Sequence, residues 1–136
     1  MRVVTVLLAL VCSADAVADQ SAAPAGAALY IVQPAAGARL KSPVTVVFGL
    51  TGMGIAPAGV TFDNTGHHHI DSELPPDLTL PLPVSINIRH FGNRQTQATL
   101  DLSPGKHTLQ LLFADFTHTP FTPTVASKKF TITVSR

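Results

Sequence analysis

Lys106-His107-Thr108-Leu109-Gln110-Leu111-Leu112-Phe113 is the stretch on which the fold turns. Leu109, Leu111 and Phe113 fall two apart, and His107 heads the same row. An extended chain sends alternate side chains to opposite faces, so this spacing predicts a half-buried β-strand and not a helix. The strand follows the turn signal Ser103-Pro104-Gly105. Outward from it the same period recurs. Lys129 to Val134 aligns Phe130, Ile132 and Val134, and Val44 to Leu50 aligns Val44, Val46, Phe48 and Leu50. Val84 to Arg89 alternates Val84, Ile86 and Ile88 with Ser85, Asn87 and Arg89. Ala28 to Val32 and Ala98 to Leu102 are shorter runs, and Gly59 to Phe62 and Gly66 to Ser72 are expected to be further strands. Leu74 to Pro83 holds four Pro and reads as a loop crossing between sheets. Seven or eight short strands with no helical pattern predict an all-β chain, an immunoglobulin-like antiparallel β-sandwich, with a barrel as the alternative.

Composition supports this and narrows function. Charged residues make up 12% of the 136-residue chain and apolar residues 46%, which excludes a disordered polyampholyte. A net charge of +1 gives no basic stripe of the kind that displaces counterions from nucleic acid, so no nucleic-acid partner is expected. Eleven Pro and nine Gly work against long helices.

The first residues have the grammar of a secretory signal peptide. Met1-Arg2 is short and basic, Val3 to Val11 is apolar except for Thr5, and Ala16-Val17-Ala18 is a small-x-small cleavage site. The apolar run is far shorter than the roughly 20 residues of a membrane span, so no transmembrane segment is expected. The expected organisation is a signal peptide over residues 1–18, a flexible Ala/Ser/Pro/Gly leader over 19–27 and one β-sandwich domain over 28–136, located in the periplasm or secreted. Cleavage after Ala18 would remove Cys12, the single Cys, and with it any thiolate chemistry.

The six His are then the main chemical signal. On a strand, His67 and His69 share one face while His68 points with Ile70. With Ile70 in the core, His67 and His69 project outward as a pair. Two imidazoles from one strand, joined by His90 or His118 from elsewhere, suit copper or zinc. His67, His69, His90 and His118 are therefore the candidate metal ligands, with Asp71, Glu73, Asp115 and Met53 as possible additions. A solvated His-rich strand edge is the plainer alternative. His107, on a face with Leu109 and Leu111 after a tight turn, reads as a structural residue that ties a corner. Nucleophile-elbow, zincin and phosphate-loop motifs are absent, and Ser72, His68 and Asp71 make a poor triad because neighbours on a strand face opposite ways. No enzyme activity is expected.

Several stretches resemble a family of small exported bacterial domains, domain-of-unknown-function family 4399. They are Tyr30-Ile31-Val32-Gln33-Pro34, Ser42 to Leu50, Gly52 to Gly59, Asn64-Thr65-Gly66-His67-His68-His69-Ile70-Asp71, His90-Phe91-Gly92, Gln95-Thr96 and Pro104 to Leu112. The resemblance implies a compact all-β exported domain, brings no established activity, and implies that the His triplet, His90, His107 and His118 belong to the family's pattern. This chain departs from it where Ile70 meets Asp71 directly and where Asn93-Arg94 follows the His-Phe-Gly.

Two functions follow as expectations. One is an immunoglobulin-like interaction or structural module of the cell envelope, with an envelope protein as partner. The other is periplasmic binding of copper or zinc through the His cluster.

Overall fold

Alternation becomes structure where one face of each run can be buried. A computed structural model describes residues 19–136 and contains nine strands. These are β1 (Ala28–Gln33), β2 (Arg39–Lys41), β3 (Val44–Thr51), β4 (Gly54–Ile55), β5 (Thr65–Asp71), β6 (Ile88–Phe91), β7 (Gln97–Leu100), β8 (Gly105–Ala114) and β9 (Phe130–Ser135). Among the described residues there is no helix, and so none long and apolar enough to cross a membrane. The expected signal peptide lies outside the described residues.

The strands form two sheets, β1-β3-β7 and β2-β9-β8-β5-β4, with β6 also paired to β5. The long pairings are antiparallel, while the short pairs β2–β9 and β4–β5 run parallel. Between the sheets lies one core. Val44, Val46 and Phe48 of β3 meet Leu109, Leu111 and Phe113 of β8 and Phe130, Ile132 and Val134 of β9. The rows read from the period-two pattern are thus the rows that are buried.

Other expectations are corrected. Val84 to Arg89 is not a strand: only Ile88 and Arg89 enter β6, Ile88 is buried, and Val84 and Ile86 are fully exposed. The Ser85 hydroxyl accepts from the Asn87 N–H, and the Ile88 N–H bonds back to the Ser85 carbonyl, so the chain turns at Ile86-Asn87. A local hydroxyl-to-backbone bond outcompetes the ladder there. Gly59 to Phe62 is also a loop, turned by the Val60 N–H bonding to the Pro57 carbonyl. Leu74 to Pro83 does not cross between sheets. It leaves β5 and returns through β6 to the same strand.

That return gives the fold a second small core. On β8, Leu112 and Ala114 alternate with the main-core row and face the other way. Leu82 packs on them, with Leu74, Leu78 and Ala126 at the margin. The face of the large sheet that would otherwise be wet is covered by the proline-rich loop.

Candidate metal centre

β5 is the wall shared by both cores, which is why every residue from Gly66 to Asp71 is buried. Gly66, His68 and Ile70 face the main core. A Cβ at Gly66 would collide with the Ala114 carbonyl, so glycine is required by the close approach of β8. The His68 ring sits 4.7 Å from Phe48 and 5.1 Å from Phe113 between centroids, and its Nδ1–H donates to the Gln95 carbonyl at 3.2 Å. Burial, only partly offset by that bond, lowers its pKa to about 4.

His67, His69 and Asp71 take the opposite face. The sequence reading put His67 and His69 on one face, as found, but expected them in solvent. They are fully buried, because the loop over Leu112 and Ala114 covers that side. Register then assembles the cluster. His90 of β6 lies opposite His69 of β5. A Cβ at position 92 would overlap the His90 ring, so Gly92 leaves that ring its place. His118 comes from the turn after β8. There Asp115 Oδ1 accepts from the N–H groups of Thr117 and Thr119 and from the Thr117 hydroxyl, and Oδ2 accepts from the Ser21 hydroxyl at 2.7 Å. This Asp-anchored turn holds His118 in the left-handed region at φ 67°, sparsely populated for a residue with a Cβ. The Leu82 N–H bonds to the His118 carbonyl, joining the turn to the covering loop.

The four rings meet. Centroids are 4.8 Å apart for His67–His69 and His67–His90, 4.9 Å for His67–His118, and 4.7 Å for His90–His118. His69 is 5.1 Å from His90 and 6.1 Å from His118. One nitrogen each from His67, His90 and His118 lie within 4.8 Å of one another, and the Nε2 atoms of His90 and His118 are 3.1 Å apart. His90 is exposed and His118 half-buried, so the cluster has a buried floor and an accessible rim.

Electrostatics keep its buried floor, His67 and His69, neutral. Burial first, then the neighbouring imidazoles, lower His67 to about 4 and His69 to about 2, with Asp115 opposing weakly at His67. Burial and His118 also lower His90. Asp115 itself is pushed up by burial, but its hydrogen bonds outweigh that and hold it below the usual carboxylate range. Neither ring nitrogen of His67, nor Nδ1 of His69, has a hydrogen-bond partner among the described residues. Neutral, unpaired imidazole nitrogens are the form that ligates metals.

Of the possible further ligands, Met53 packs against the main core, Glu73 is exposed, and the Asp115 oxygens are engaged in the turn. Asp71 is buried with both oxygens unpaired, and burial raises its pKa to about 7. His107 stands outside the cluster, toward the far end of β8 from Ala114, the residue that pairs with His67. Its Nε2–H donates to the Ser103 carbonyl at 2.8 Å across the turn, the corner-tying role read from the sequence. Sequence reasoning missed the roles of Asp115 and Gly92. The Asp-x-Thr spacing at Asp115-Phe116-Thr117 is a turn signature that could have revealed the first.

No curated protein and no solved structure matches the chain. A family model described as "Domain of unknown function (DUF4399)" matches residues 46–135, a span that holds all six His. The chain therefore belongs to the DUF4399 family.

Proposed function

We propose that this is an exported, non-enzymatic domain of the bacterial envelope that binds one Cu(II) or Zn(II) ion through His67, His90 and His118. The observation that carries the reading is His67: completely buried, with both ring nitrogens unpaired, and within ligand range of two further imidazoles. Leaving a buried polar atom unpaired costs about 1–3 kcal/mol, so a structural role alone accounts poorly for it. A tetrahedral ion with bonds of about 2.0–2.1 Å places its nitrogens about 3.3 Å apart. The 3.1 Å separation of the two outer imidazoles already fits that spacing, and a small inward movement of His67 completes the set. An all-imidazole donor set favours Cu(II) and Zn(II) over hard cations.

The test uses untagged protein, exposed to Cu(II) or Zn(II), dialysed and assayed for metal. About one ion per chain should remain, and His67→Ala should lose it while keeping its circular dichroism. No retention, or retention unaffected by His67→Ala, overturns the proposal. The interaction-module reading retains one specific support, the fully exposed Val84 and Ile86 on the loop beside the cluster. The two sheets on one core support an immunoglobulin-like sandwich as the finer fold reading.

A further inference from the structure

Three of the four clustered imidazoles differ from the fourth in what else they touch. A cavity of about 190 Å³ opens onto the cluster, lined by His69, His90 and His118 and walled by Leu82, Pro83, Val84 and Ile88. His67 is not among its walls. His69 belongs to the cluster by ring contact but not to the trio whose ligand atoms lie within 4.8 Å of one another. It lines the cavity, is fully buried, and carries an Nδ1 without a partner.

We propose that the ion keeps one coordination position for an exogenous ligand, a small monodentate anion or amine that enters through this cavity, and that His69 hydrogen-bonds this guest without ligating the metal. The inference rests on the metal-binding reading above. Three protein ligands with one open position is the arrangement of sites that bind or activate small molecules, whereas four protein ligands mark a closed, structural site. The cavity supports the open form on three counts. It reaches the cluster where the outer ligands stand. Its remaining walls are apolar, so a polar guest would find its partners at the ion and at His69 and nowhere else. Its volume is below the range of about 300–1,000 Å³ that holds drug-sized ligands, which limits the guest to a few heavy atoms. His69, with one N–H and one bare nitrogen in its neutral form, can serve either a donor or an acceptor.

The test uses the full chain loaded with Cu(II) and titrated with azide, followed by visible absorption and electron paramagnetic resonance. A saturable azide-to-copper charge-transfer band, with copper still bound after gel filtration, is expected. His69→Ala should retain the ion but bind azide about tenfold more weakly, the loss of one hydrogen bond to a charged group. Three results overturn the inference: a copper-loaded parent whose spectrum azide leaves unchanged, azide that strips the metal instead of joining it, or His69→Ala losing the ion as fully as His67→Ala does. The first of these requires retained copper, so it leaves the metal reading standing. Failure to retain copper before any azide is added overturns both.

Discussion

Replacing His68 with Phe should flatten the acid side of the metal-free protein's stability profile. His68 lies between Phe48 and Phe113 with burial holding its pKa at about 4, against about 6.5 in an unfolded chain. Above pH 6.5 both states are neutral there and the group contributes no pH dependence. Between pH 6.5 and 4 the unfolded chain takes up a proton that the folded protein refuses. Stability is therefore lost as pH falls through this window, and the loss is complete near pH 4. For these two values the loss from pH 8 to pH 5 is about 2 kcal/mol, or about 8 °C in Tm for a domain of this size. Phe keeps the aromatic contacts but cannot titrate. It also deprives the Gln95 carbonyl of its donor, a cost that is independent of pH and cancels when one pH is subtracted from the other. His67 and His69 titrate with the same sign, and Asp71, raised to about 7, with the opposite one. Being present in both proteins, they cancel too. Urea unfolding of parent and His68→Phe at pH 8 and pH 5, with chelator present, isolates the difference. Equal losses in the two proteins would refute a neutral, buried His68.

Metal retention should persist to about pH 5 and fail near pH 4, lower than free imidazoles would allow. His67 at about 4 and a lowered His90 leave protons little purchase over that range, and dialysis of the loaded protein across a pH series reads it directly. Gly92→Ala should weaken metal affinity at least about tenfold, since the added methyl displaces the exposed His90 ring, and should also lower the Tm of the metal-free protein, since the same methyl overlaps the Ala58 Cβ. Asp115→Ala should cost about 1–3 kcal/mol in denaturant unfolding and also reduce metal retention, because the Thr117 and Thr119 donors lose their acceptor and the His118 turn loses its anchor.

The sequence was most legible where burial is one-sided. The rows through β3, β8 and β9 could be read directly because each alternates between a core face and a wetter face. Val84 to Arg89 carried the same alternation and failed, because a Ser hydroxyl two residues before an N–H competes with any ladder, and period alone does not register that competition. On β5 the split of His67 and His69 from His68 and Ile70 was readable, since it follows from the pleat. Their burial was not, because it depends on a proline-rich loop folding back onto the same sheet, a tertiary event with no local signature. His90 and His118 could be named as candidates, but their approach to His67 depends on β5–β6 register and on a left-handed residue, neither of which composition reveals.

The three imidazoles of the trio come from a central strand, an edge strand and a loop, and His90 and His118 are 28 positions apart in the chain. An ion gripping all three would act as a cross-link in a protein whose only Cys stands at position 12. Such a clasp closes long loops, the kind whose closure restricts an unfolded chain most. Because it binds only the assembled state, it adds about 2.7 kcal/mol when free metal exceeds the dissociation constant a hundredfold, and nothing when metal is scarce. The lifetime of the folded domain would then track the metal supply of its surroundings, with the His118 turn and β6 the first places for a protease to cut when that supply runs out.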